Sequence, residues 1–444
     1  MNMLVQYRLT GGNAKEISAS VEAAVRSGDL APGDHLPPVR ALAQHLRVSP
    51  TTVAAAYREL RQRGITTGAG RGGTRVRPAP PLTIRGFPKP PDGTRDLLTG
   101  TPDPALLPAL PPRSPGARLY AEDQVAPRLR RLAVDQFSAD GIDAANLAVT
   151  GGALDAIERV LSTWLTPGDR VAVEDPGHVV TYDLVAAMGL VAVPVAVDER
   201  GALPGQLSAV LANGASAAIF TPRAQPATGA AWDAGRAAAL REVLLRHPSA
   251  VVIEDDHAGP VSGVPVYTVT AGLDRWVTVR SVSKSLGPDL RLAVLAGDES
   301  TVARVNGRQA LGTGWVSYQL QETVADLWSD RAWLDHAARV YTGRRDALLA
   351  ALARHGIAVT GGRSGLTCWI PVTDEDRVAA ALARAGWAVA PGRRFRIASP
   401  PGVRVCFARL EPADAGRFAD AFAAALRHRP ARLDLSRPPG PYLH

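Results

Sequence analysis

In VTVRSVSKSLGPDLRLAVLAG, residues 277–297, an apolar run gives way to Ser281, Ser283 and Lys284, a Gly-Pro turn, Arg291 and a second apolar run. The polar cluster falls at a strand end and in the turn after it. A lysine placed there beside hydroxyls and an arginine can form a Schiff base while its neighbours hold a phosphate. Outward from this stretch, similar short apolar runs alternate with helical periodicity from about residue 120 to 429. RVAVED (170–175), AAIFTP (217–222) and AVVIEDD (250–256) are examples. Such alternation predicts an α/β body with a largely parallel sheet, its ligand residues at the C-terminal strand ends.

Two further strings meet that expectation. In LAVTGGALDAIERVL (147–161) a strand ends at Gly151-Gly152 and a helix opens, offering backbone N–H groups to an anion. In VVIEDDHAG (251–259) three acids end a buried strand, and burial requires a cationic partner for at least one of them.

Upstream lies a different kind of sequence. AKEISASVEAAVRSG (14–28) carries Ile17, Val21, Ala24 and Val25 at helical spacing, with Gly28 placed to stop the helix. A Pro/Gly turn leads to a second helix through Val39, Leu42, Ala43 and Leu46. After the break RVSP comes a third helix through Val53, Ala56, Tyr57 and Leu60, with Ser49 as N-cap and Pro50 in the first position. Two helices across so short a turn make a helix-turn-helix, the later one suited to a major groove. GITTGAGRGGTRVR (64–77) then predicts a strand, a tip with Arg71 and Arg75, and a return strand: a wing.

Charge follows this division. Residues 1–77 hold eleven Arg/Lys and five Asp/Glu, which is +6 of the net +8. A basic module beside a near-neutral body points to a phosphate-backbone partner, although an Arg-rich surface from a GC-rich genome gives the same balance. Prolines crowd residues 78–115, opposing helix and central strand and favouring an extended spacer. No apolar run is long enough to span a membrane, and the first residues lack the pattern of a signal peptide. Cys368 and Cys406 make neither a disulfide framework nor a metal cluster, so a cytoplasmic location and no metal are expected. Both cysteines, and Trp164, Trp276, Trp315, Trp328 and Trp369, suit core positions.

LAPGDHLPPVRALAQHLRVSPTTVAAAYRELRQRG (30–64) and GRGGTRV (70–76) resemble the GntR class of winged-helix domains. By that resemblance Arg40, Thr51, Thr52 and Arg75 touch DNA with Ser49 in support, and Arg71 joins them from the wing. Pro50 stands where the class has an arginine, leaving Arg40, Arg47 and Arg58 with more of the phosphate contact. The body resembles the fold-type I aminotransferases that use pyridoxal 5′-phosphate (PLP). The fusion of the two is similar to the MocR-type regulators over nearly the whole chain.

The resemblance implies a fold class: α/β, with an N-terminal winged helix-turn-helix and an aminotransferase domain of a large, mostly parallel-sheet subdomain and a smaller C-terminal one. It divides the chain into a reader (1–77), a Pro-rich linker (78–115), a PLP-binding body (116–429, the small subdomain about 330–429) and a tail (430–444). Lys284 is then the PLP aldimine lysine and Asp255 the partner of the pyridine nitrogen. Gly152, Ala153, Ser281, Ser283 and Arg291 hold the phosphate, with Tyr120 and Ser317 reaching in from a partner subunit of a homodimer. Arg404, in GVRVCFARL (402–410), takes an effector carboxylate, and Gln225, in TPRAQPATG (221–229), lies beside the ring.

Several positions depart from the family. His257 stands for the tyrosine that donates to the ring's phenolic oxygen. His178, in EDPGH (174–178), stands for the stacking aromatic. Val125 replaces a glycine, and Ala153 the hydroxyl of the phosphate turn. The implied function is a regulator whose PLP site senses PLP or an amino compound and alters binding to a double-stranded operator. The alternatives are a working aminotransferase with an N-terminal extension, and a regulator whose PLP site is vestigial and whose body is a dimerisation scaffold.

Overall fold

Asn13 starts the first helix by accepting the Glu16 amide, and Gly28, at φ 82°, closes it. The structure is a computed structural model that describes residues 9–62, 65–68, 73–77, 89–110, 119–120 and 123–427. Helices α1 (Ala14–Ser27), α2 (Val39–Leu46) and α3 (Pro50–Gln62) precede a two-stranded ribbon, β1 (Thr66–Thr67) against β2 (Arg75–Val76). Their apolar stripes, including Ile17, Val21, Leu42, Val53 and Leu60, close into one small core. Arg47 takes a left-handed conformation at the α2–α3 turn. Ser49 caps α3 by accepting the Thr52 amide at 3.1 Å. The wing tip, and Arg71 with it, lies outside the described residues. Arg75 is not at the tip: it lies within β2 opposite Thr67.

Part of the expected spacer is ordered structure. Within the Pro-rich segment, β3 (Arg95–Leu97) pairs in parallel with a strand of the C-terminal sheet. It contains no proline and lies at the sheet edge. Residues 78–88, 111–118 and the tail expected at 430–444 lie outside the described residues.

The body continues with α4 (Pro127–Ala139), β4 (Leu147–Thr150), α5 (Ala153–Trp164), β5 (Arg170–Asp175), α6 (Val179–Ala187), β6 (Val191–Asp198), β7 (Gly201–Ala202), α7 (Pro204–Ala212), β8 (Ala215–Phe220), α8 (Ala234–Leu245), β9 (Val251–Asp256), β10 (Trp276–Ser281), β11 (Ala293–Gly297) and α9 (Glu299–Ala310). Their strands form one sheet in the order β4-β11-β10-β9-β8-β5-β6-β7. The run β10-β9-β8-β5-β6 is parallel, and β11 runs against both its neighbours. Parallel strands must be buried on both faces, and two separate apolar clusters cover this sheet. Ile157, Val160, Leu161 and Val302 are in one; Phe137, Leu207, Leu240 and Trp328 are in the other.

Helices α10 (Tyr318–Ser329) and α11 (Arg331–Arg354) lead to the smaller C-terminal unit. It contains β12 (Thr367–Pro371), α12 (Glu375–Arg384), β13 (Trp387–Pro391), β14 (Gly402–Cys406) and α13 (Ala415–Arg427). Its sheet runs β12-β14-β13-β3 over a third core. The parallel topology gathers the C-terminal ends of β4, β5, β9 and β10 along one edge of the large sheet, facing this smaller unit.

Candidate functional site

A cavity of about 370 Å³ lies along that edge, between the two sheets. The acids that end β9 divide their tasks. Glu254 accepts hydrogen bonds from Thr268, Thr278 and the Val269 amide. Asp256 is fully buried between Arg223, at 2.8 and 2.9 Å, and Arg280, at 2.8 Å, and those guanidinium groups hold it well below the usual carboxylate range. The cationic partner required by burial therefore belongs to Asp256. Asp255 faces the cavity instead; it is 5% exposed, and its Oδ1 has no partner among the described residues. Burial, with Asp256 adjacent, pushes its carboxyl up to about 7.

Lys284 also faces the cavity, and its Nζ donates to the Gly100 carbonyl. Burial brings its amine down to about 8. Ser281 and Ser283 share a 3.2 Å hydrogen bond beside it. Across the opening, Gly152 precedes α5 at φ 112° with no side-chain cap, so the amides that open the helix face outward. Arg291 covers them: its Nη2 donates to the Gly151 carbonyl at 3.3 Å, and a Cβ on Gly152 would meet that nitrogen at 2.9 Å. Bare helix-start amides, an arginine and two hydroxyls suit a phosphate. An unpartnered carboxylate suits a pyridinium, and an amine of lowered basicity suits an aldehyde. Lys284, Asp255, Ala153, Ser281, Ser283 and Arg291 all line this one cavity, and the residues fit PLP.

Two imidazoles complete the wall. His178 precedes α6 with Nδ1 at 3.1 Å from the Thr181 hydroxyl. His257 places Nε2 2.8 Å from the Ala224 carbonyl, which can only accept. Burial pushes both down, His178 to about 3 and His257 to about 4, so both are neutral at physiological pH.

Arg404, on β14, reaches the cavity from the small sheet. Its Nε donates to the Pro226 carbonyl at 2.6 Å and Nη1 to the Leu98 carbonyl at 3.1 Å, over the Phe395 ring. Two of its five N–H groups are thus held by backbone carbonyls. Gln225 corrects its expectation outright. Its amide donates to the Pro176 carbonyl and its Oε1 accepts from the Ala227 and Thr228 amides, so it braces its own loop against the turn that carries His178 and does not line the cavity. Tyr120 is 93% exposed against the edge of Trp315, and Ser317 is exposed at the start of α10; neither lines this cavity.

Sequence reasoning missed Thr99, Gly100 and Thr101, which line the cavity from within the supposed spacer. Asp96 shapes that turn by accepting the Leu98 and Thr99 amides at 2.9 Å. The Arg223–Asp256 pair was also missed, and no local signal in the sequence distinguishes Asp256 from Asp255.

On the winged helix, Arg40, Ser49, Thr51 and Arg75 are exposed. Thr52 turns its hydroxyl back to Ser49 at 2.8 Å, leaving Thr51 as the outward-facing threonine. Arg77, after the wing, donates to the Gly189 carbonyl of the body. Among the described residues no helix is long and apolar enough to cross a membrane.

Comparison with known proteins places both regions of the chain in families. Residues 103–422 match the family model for aminotransferase class I and II, and residues 13–76 that for bacterial regulatory proteins of the gntR family. The vitamin B6 salvage pathway transcriptional repressor PtsJ of Salmonella typhimurium is 38% identical, over 93% of this chain and 98% of its own. The HTH-type transcriptional regulator TauR of Rhodobacter capsulatus is 29% identical, over 84% and 87%. The HTH-type pyridoxine biosynthesis transcriptional regulator PdxR of Corynebacterium glutamicum is 28% identical, over 63% and 65%. Among solved structures, kynurenine aminotransferase from Pyrococcus horikoshii shares the body's fold at a TM-score of 0.68, covering 76% of this chain and 91% of its own at 19% identity.

Proposed function

Since the chain belongs to the aminotransferase class I and II family and, through its GntR module, to the MocR-type regulators, we propose that it is a DNA-binding regulator of vitamin B6 metabolism that senses PLP in the cavity at Lys284. When bound, PLP supplies an aldehyde that condenses with an amine and an electron-withdrawing pyridinium ring. Asp255 would hold the ring nitrogen. The start of α5 with Ser281, Ser283 and Arg291 would hold the phosphate. Lys284, with its lowered basicity, supplies the neutral amine that the aldehyde needs.

The carrying observation is the partner of that amine. Lys284 donates to Gly100, and Arg404 donates to Leu98, both on the segment that runs back toward the winged helix. A ligand that takes the lysine competes with the Gly100 carbonyl and loosens that segment. Pocket occupancy and reader position are thereby coupled, and a ligand shifts the balance only as far as its preference for one arrangement. Exposed Tyr120 and Ser317 suit a homodimer in which each subunit completes the other's site, and two readers then call for a repeated operator.

The test is fluorescence anisotropy on DNA flanking the gene, with and without PLP, for wild type and Lys284→Ala. PLP changes the wild type's affinity and leaves the variant's unchanged. Equal affinity under all four conditions would refute sensing. Sustained keto-acid formation from an amino acid would favour the enzyme reading instead.

A further inference from the structure

His257 occupies the position where the resemblance calls for a tyrosine donor. Its geometry assigns a different polarity. The Ala224 carbonyl stands 2.8 Å from Nε2, and a carbonyl oxygen has no hydrogen to give, so Nε2 must carry the N–H. Ala224 is itself held in a left-handed conformation, φ 56°, with its amide bonded to the Ser364 hydroxyl at 2.7 Å. The carbonyl is therefore a built feature of the loop and does not turn to suit the imidazole. Turning the ring over would replace Nε2 by a carbon and forfeit the bond.

A neutral imidazole carries one hydrogen. With that hydrogen on Nε2, the remaining nitrogen, Nδ1, is an acceptor. A second proton is opposed by what surrounds the ring. Burial opposes it most, and Lys284 and Arg404 add positive charge; the Ala224 carbonyl and Asp256, itself paired with Arg223 and Arg280, act the other way and are outweighed. The balance brings His257 down to about 4.

We propose that His257 presents a hydrogen-bond acceptor, not a donor, to the cavity, and so selects a ligand that brings a hydroxyl hydrogen to that position. For a vitamin B6 ring, which rests on the function proposed above, that ligand group is the 3-hydroxyl in its protonated form. A tyrosine at this position would instead donate and favour the ionised oxygen. The site then discriminates by the protonation of the ring hydroxyl. His257 would thus stabilise the hydroxyl form of a bound ring over the ionised one, an arrangement suited to sensing more than to turnover.

Two measurements decide it. In PLP-free protein carrying ¹⁵N-labelled histidine, with the His257 signals identified by their loss in His257→Gln, the nitrogen shifts between pH 5.5 and 8 report the Nε2–H neutral tautomer. An Nδ1–H tautomer or an imidazolium in that range overturns the inference, whether or not PLP binds. In PLP-loaded protein the wild type absorbs mainly in the shorter-wavelength form, in which the ring oxygen keeps its hydrogen. His257→Tyr shifts absorption to the longer-wavelength form. A wild-type spectrum already dominated by the long-wavelength band overturns the inference. Failure to retain PLP in equilibrium dialysis sinks the proposed function instead, and the tautomer measurement, made without PLP, still decides the polarity of His257.

Discussion

Replacing Asp255 by asparagine is expected to stabilise the ligand-free protein at alkaline pH while abolishing its hold on PLP. The carboxyl is buried with an unpartnered oxygen, and its proton is released only near about pH 7, where an ordinary aspartate releases it near 3.8. The folded state therefore binds this proton more tightly than the unfolded chain. The contribution of Asp255 to stability falls as pH rises from the ordinary carboxylate range to about 7 and is flat above it. Each pH unit in that window costs about 1.4 kcal/mol. Between pH 5 and pH 8 the wild type should lose roughly 2 to 3 kcal/mol that the variant, which cannot ionise there, retains. Urea denaturation of both proteins at the two pH values, without PLP, reads this difference directly. PLP should restore wild-type stability at pH 8, because the pyridinium pairs the charge, and should leave the variant unmoved. Parallel pH dependence of the two proteins would refute the reasoning, since it would mean that Asp255 is solvated or paired in the folded state.

Four further outcomes follow from the same geometry. Asp256→Asn strands Arg223 and half of the Arg280 pairing in the interior and should lower unfolding free energy by about 3 to 5 kcal/mol in urea. Gly152→Ala places a methyl group 2.9 Å from Arg291 Nη2 at φ 112°. PLP affinity measured by fluorescence quenching should weaken about tenfold, and the strained φ should lower unfolding free energy by about 1 to 3 kcal/mol. Gly100→Ala sets its methyl 2.7 Å from Arg404 Nη2, displaces the segment that Lys284 holds, and should make DNA affinity indifferent to PLP in anisotropy titrations. Arg40→Ala and Arg75→Ala should each reduce the slope of log affinity against log salt by about 1, uniformly across DNA sequences if their contacts are to phosphate.

Much of this protein is legible along the chain because it depends on local chemistry. The apolar stripes of α1 to α3 declare the winged helix, and Ser49 and Gly28 mark helix ends that hydrogen bonding and left-handed geometry then fulfil. Likewise β10 and its Ser-x-Ser-Lys turn, and the glycines before α5, carry their purpose in neighbouring residues. Tertiary structure decided what depends on neighbours distant in sequence. Asp255 and Asp256 are chemically identical and adjacent; strand pleat turns one to the cavity and the other to Arg223 and Arg280. Gln225 stands beside cavity residues in sequence, yet its amide is taken by the Pro176 carbonyl, 49 residues away. His257 matches a donor position, but a carbonyl 33 residues upstream determines which of its nitrogens keeps the hydrogen. The Pro-rich stretch reads as a spacer because proline governs local propensity, whereas β3 exists only by pairing with Trp387–Val389, nearly 300 residues away, and through that pairing sets the Gly100 carbonyl on Lys284.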